Sequence, residues 1–140
     1  MTAVRHEAGP DEGAVWHYGD PFGEQRALAA GRASVDLSHR PVFAVTGRDR
    51  LTWLHAIASQ DLAGQAPGVP VTSYILNAQG HITHVFGGVD DGATFHGHTE
   101  PGHADALLGW LRRMVFAARV EITDTSADHA LLLPAGAAAP

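Results

Sequence analysis

Three histidines and a phenylalanine fall on one stretch that reads as a β-hairpin, and their spacing is where chemistry could gather. Asp90-Asp91-Gly92 reads as a turn of three loop residues with Gly92 in the left-handed position, which sets Val89 opposite Ala93. On that register His84 opposes His98 and Phe86 opposes His96. Side chains alternate across a sheet, so Val85, Val89, Ala93 and Phe95 form a core face, while Ile82, His84, Phe86, His96 and His98 share the other. Imidazole and aromatic surfaces with donors and acceptors at their rim suit a flat heterocycle. A half-buried sheet with His96 and His98 standing in solvent is the plainer reading of the same pattern. A metal centre would need ring nitrogens converging at about 2 Å on one ion, and no carboxylate is placed to help. No metal ligand is assigned, and a histidine-rich metal-binding or interaction module stands as an alternative.

Composition narrows the chemistry further. The 140 residues contain no cysteine and no lysine, all nine basic residues being arginine. A thiol nucleophile, a thiolate metal site, a Schiff-base lysine and a P-loop lysine are therefore excluded within these residues. Arginine holds carboxylates and phosphates but does not shuttle protons, so acid–base work falls to histidine and carboxylates. A net charge of −6, with no basic stripe, argues against direct nucleic-acid binding. No apolar run approaches the ~20 residues of a membrane helix, and the start lacks signal-peptide character, so the expected compartment is the cytoplasm.

The elements that must position these residues follow from local signals. Residues 1–19 show no sustained period and read as a flexible lead-in in which Trp16 and Tyr18 could dock. Asp20-Pro21 caps a helix running to about Ala30, with Gly31 as its stop. Ser34 to Ser38 is extended, and Val42 to Thr46 is a strand closed by Gly47. Asp49 caps a helix with Leu51, Leu54, His55 and Ala58 on one face. Val71–Leu76 and Ile82–Val89 are strands joined by Asn77-Ala78-Gln79-Gly80. Glu100-Pro101-Gly102 opens a helix whose core stripe is Leu107, Leu108, Leu111 and Val115. Strands follow near Ala118–Ile122 and Ala130–Leu133. The order predicts an α+β fold, a mostly antiparallel sheet with flanking helices.

Three stretches together resemble the folate-binding YgfZ proteins, relatives of the glycine-cleavage T-protein, an aminomethyltransferase. They are Val35-Asp36-Leu37-Ser38-His39-Arg40 with Val45-Thr46-Gly47-Arg48-Asp49-Arg50-Leu51-Thr52-Trp53-Leu54-His55; Leu76-Asn77-Ala78-Gln79-Gly80-His81-Ile82; and Glu100-Pro101 with the helix after it. In this order they cover most of residues 19–134. The resemblance implies the N-terminal portion of a T-protein/YgfZ-like folate-binding module over residues 20–140, with the C-terminal half absent. It also implies a tetrahydrofolate, or a derivative, held in a central hole. By position His39 and Arg40 become pocket residues beside His84, Phe86 and His96. An Arg40 guanidinium could stack on a pterin or pair with a folate carboxylate. For Asp36 and Ser38, local turn hydrogen bonds are the expected role.

Two departures shape what the resemblance implies. The T-protein carries Gly-Gly-x-x-Asp-Asp after its hairpin, its acid assisting methylene transfer; here the run is Gly80-His81-Ile82-Thr83-His84-Val85. An imidazole cannot supply the fixed negative charge of a carboxylate. The family's Lys-Gly-Cys-Tyr-x-Gly-Gln-Glu signature has no match here either. The resemblance therefore implies a tetrahydrofolate-binding protein supporting iron–sulfur cluster assembly or repair, and thereby iron–sulfur tRNA-modifying enzymes, with no catalytic residue and no aminomethyl transfer. Its alternative is a tetrahydrofolate-dependent one-carbon transferase. Expected partners are folate and iron–sulfur proteins, with self-association through an unpaired edge around Leu131-Leu132-Leu133.

Overall fold

The computed structural model describes residues 2–135. In chain order the elements are β1 (Val4–Arg5), β2 (Val15–His17), α1 (Pro21–Ala29), β3 (Ser34–Asp36), β4 (Val42–Thr46) and α2 (Arg50–Ile57), then β5 (Val71–Leu76), β6 (Ile82–Asp90), β7 (Thr94–His98), α3 (Ala104–Arg113), β8 (Glu121–Asp124) and β9 (Leu132–Pro134). Every strand pairing is antiparallel, so the α+β expectation holds. The chain forms two compact units, one of residues up to Arg40 together with those from Ala130 onward, the other of Pro41–His129.

In the first unit, the segment expected to lack regular structure carries the β1–β2 pair. Backbone bonds between His6 and both Gly13 and Ala14 close it, and Arg5 donates to the Gly13 carbonyl. Trp16 stacks on His6 but stays 65% exposed, whereas Tyr18 docks by donating its hydroxyl to Asp36 at 3.1 Å. Asp20 caps α1 by accepting from the Gly23 N–H, and Gly31 ends it at φ 71°. The strand near Leu131–Leu133 does have one neighbour, because Val35 opposes Leu133 and Asp36 opposes Leu132. The expectation of an unpaired edge is corrected to that extent; Leu132 and Leu133 remain exposed.

The second unit is a five-stranded sheet in the order β5-β6-β7-β4-β8. Its core gathers Phe43, Val45, Ile75, Phe86, Phe95 and Ile122 from the sheet with Trp53 and Leu54 from α2 and Leu107, Leu108 and Leu111 from α3. Phe86 lies edge-on to both Phe43 and Phe95 at 6.2 and 6.0 Å between centroids. Those rings need room over the sheet, and glycine supplies it. A Cβ at Gly97 would sit 2.3 Å from the Phe43 ring, and one at Gly88 2.5 Å from Phe95.

Several boundaries differ from expectation. Asp49 does begin α2, but its carboxylate is taken by Arg119, through the backbone N–H and Nε at 2.8 Å each, so its side chain caps nothing. His55 is exposed where Trp53 is buried, the indole donating to the Met114 carbonyl at 2.9 Å. Helix α3 ends before Val115, and β8 begins at Glu121, three residues beyond the expected start.

The turn between β6 and β7 is the largest correction. Asp91 and Thr94 flank a Gly92-Ala93 loop, and only Gly92 of the pair has positive φ, 97°. Asp90 therefore opposes Phe95 and Val89 opposes His96, an offset of three residues from the expected pairing. An odd offset exchanges the faces of β6 relative to β7. The core face is thus Phe86, Gly88 and Asp90 with Phe95 and Gly97. His96 and His98 occupy the other face, opposite Val89 and Gly87.

Candidate functional site

His84 lies near the start of β6, where the sheet is irregular. Ile75 opposes His84 but Leu76 opposes Ile82, which leaves Thr83 as a bulge. The bulge opens a cavity of about 200 Å³ lined by Ile82, Thr83, His84, Val85, Thr99, Glu100 and His103. The two hydroxyls there are committed to backbone, Thr83 to the Ile75 carbonyl at 3.1 Å and Thr99 to the Val85 carbonyl at 2.8 Å. The His84 ring sits 6.0 Å from the indole of Trp110 on α3. Burial lowers its pKa below the usual 6.5, and electrostatic repulsion from His103 and Arg113 lowers it further. The imidazole is therefore neutral near pH 7, offering one donor and one acceptor nitrogen.

The other hairpin residues lie elsewhere. Phe86 is 1% exposed in the core, so it lines no open pocket; the three-residue offset removes it from the face it was assigned to. His96 stands on the opposite face of the sheet from Phe86, its Nε2 2.8 Å from the Asp91 carboxylate and its ring 6.2 Å from His129. Asp91 also accepts from the Ala93 and Thr94 N–H groups. These bonds, that to His96 first, hold its carboxyl far below the usual carboxylate range. His96 thus shares no cavity with His84. Among the described residues no group of three or more His, Asp or Glu side chains could hold a metal.

His39 and Arg40 belong to the first unit, in the turn after β3 closed by the Arg40 N–H on the Leu37 carbonyl at 2.9 Å. Both are half-buried. Asp36 accepts from the Ser38 N–H at 2.9 Å, the local turn role expected of that pair. His39 reaches Asp11 through Nε2 at 3.5 Å, while its Nδ1 is buried with no hydrogen-bond partner among the described residues.

Sequence reasoning missed three parts of this arrangement. His103, immediately before α3, and Trp110, one helical face along, had a signal only in their distance from the leucine stripe. The third is the buried pair of Asp90 with Arg50, in which two bonds of 2.7 and 2.9 Å join the end of β6 to the first residue of α2.

No protein-family model and no curated protein matches the chain. Among solved structures, it is similar to the glycine cleavage system aminomethyltransferase T from Bartonella henselae, with a TM-score of 0.67 and 22% identity. The match covers 94% of this chain and 37% of that one. The fold is that of part of a T-protein-like α+β architecture. At this identity the likeness concerns the fold, and the chain spans a little over a third of the length of the aminomethyltransferase.

Proposed function

We propose that the chain is a tetrahydrofolate-binding, YgfZ-like module that supports iron–sulfur cluster assembly or repair without aminomethyl transfer. The observation that carries this reading is His84. It stands where the T-protein pattern has its acid, and its surroundings keep it neutral. A neutral imidazole gives no fixed negative charge to stabilise a cationic methylene-transfer intermediate.

The residues present fit a folate in parts. The cavity at His84, at about 200 Å³, is below the ~300–1,000 Å³ of a pocket for a whole drug-sized ligand, and suits the edge of a ring system. The His84 nitrogens supply one donor and one acceptor at that edge. The buried Nδ1 of His39, unpaired among the described residues, is an unused polar atom on the residue before Arg40 in the same turn. When bound, tetrahydrofolate supplies ring nitrogens able to carry a one-carbon unit; this chain's residues bind and orient it.

Calorimetric titration with 5-formyltetrahydrofolate tests the reading. Binding is expected, weakened roughly tenfold or more by Arg40→Ala, the loss of one charge-assisted contact of ~1.5–3 kcal/mol. Absence of binding removes the proposal, and unchanged binding in the variant removes Arg40 from it. The likeness to an aminomethyltransferase supports a second reading, one-carbon transfer. Tetrahydrofolate-dependent ammonia release from an aminomethylated carrier, abolished by His84→Ala, would favour it.

A further inference from the structure

We propose that the cavity at His84 receives the donor edge of its ligand, the stretch of a ring system where an amino group stands beside a ring N–H, and that Glu100 reads that edge. The inference rests on the folate reading above and adds to it which edge of the ring enters and which side chain selects it.

Hydrogen-bonding capacity around the cavity is unevenly divided. A hydroxyl has one proton and two lone pairs. Thr83 donates its proton to the Ile75 carbonyl and Thr99 donates its own to the Val85 carbonyl, so each oxygen has only lone pairs left for a ligand. Thr99 is 2% exposed, and turning its proton toward a ligand would take it from the carbonyl that now holds it. Glu100 brings a carboxylate to the same lining. Ionised, it accepts and does not donate, and its roughly four lone-pair sites serve a ligand alongside any bond it makes within the chain. Ile82 and Val85 add no polar side-chain atom. Side-chain donors in the lining are thus confined to His84 and His103, whose neutral rings each carry one donor and one acceptor nitrogen.

A ligand edge of adjacent N–H groups finds an acceptor for each donor in such a lining. An edge of carbonyl oxygens sets lone pairs against lone pairs and loses its water partners without replacement. The pterin ring system of a folate has the matching edge at its 2-amino-4-oxo end, where the 2-amino group and the neighbouring ring N–H point the same way. A carboxylate accepts from that pair in the two parallel bonds by which it also accepts from a guanidinium. Deleting the amino group removes one charge-assisted bond, and because Glu100 is exposed the loss belongs at the low end for such bonds, roughly tenfold in affinity.

Calorimetry near neutral pH provides the test, with 5-formyltetrahydrofolate set against its analogue in which a 2-methyl group of similar size replaces the 2-amino group. The native protein is expected to prefer the amino compound roughly tenfold. Glu100→Ala, a change at an exposed position, should weaken the amino compound, leave the methyl compound where it was and so bring the ratio close to one. Equal affinity of the native protein for both compounds overturns this inference while leaving the folate reading intact. A ratio unchanged in Glu100→Ala also overturns it, whether both affinities stay or both fall together, since a merely structural role for Glu100 would move the two compounds alike. Failure of both compounds to bind overturns the folate reading and this inference with it.

Discussion

The two ends of β6 treat polarity in opposite ways. At its C-terminal end Asp90 is buried, and every demand of its carboxylate is met: Arg50 donates twice, and the Gly92 N–H donates at 2.8 Å. At its N-terminal end His84 is half-buried beside a cavity that Glu100 and His103 also line. The first arrangement is closed and fixes α2 against the hairpin. The second leaves hydrogen-bonding capacity unspent, which is what a binding site requires and a structural joint does not.

Breaking the closed end should have the largest effect. Asp90→Ala strands the Arg50 guanidinium, only 12% exposed, and is expected to cost about 3–5 kcal/mol, read as a drop in the urea midpoint. If the midpoint scarcely moves, the closed end is not the joint described here.

The pH profile of stability sharpens the contrast. Asp90 has its pKa lowered from 3.8, first by Arg50, so its contribution is complete above that value and is lost as pH falls through the lower folded pKa. A double variant, Arg50→Met with Asp90→Leu, should flatten this acid limb and keep much of the stability of the native chain, since a well-packed apolar pair replaces a buried ionic one.

A smaller effect is expected at the open end. Because the folded pKa of His84 lies below its ordinary 6.5, protonation favours unfolding. Stability is full above pH 6.5 and declines as pH drops through the interval down to the folded value. His84→Gln should remove that component, under about 1 kcal/mol given the partial exposure of the ring, and leave the acid limb of Asp90 untouched. Denaturant midpoints measured from about pH 2 to pH 8 distinguish the two, the His84 component falling below pH 6.5 and the Asp90 limb below its ordinary 3.8.

Much of the scaffold was legible before any coordinates. β4 and β5 have the limits that their apolar, β-branched runs and flanking Gly and Pro predicted, and α1 starts at its Asp-Pro cap. The leucine stripe of α3 marked a buried face that the core confirms. The turn after β6 was not legible in the same way. Asp90-Asp91-Gly92-Ala93 admits several loop lengths, and the choice of Gly92-Ala93 placed Phe86 in the core and parted His84 from His96.

The sequence by itself determined most of the elements after residue 19, the antiparallel α+β class and the replacement of an acid by His84, because local propensity and residue identity do not depend on what lies across space. Only the tertiary structure decided which neighbours His84 has. The Thr83 bulge, the approach of Trp110, and the charges of His103 and Arg113 all depend on strand register and helix packing, and register turns on the conformation of a few turn residues. A change of one residue there would face His84 with a different set of groups and alter its charge state, with no change in the sequence around it.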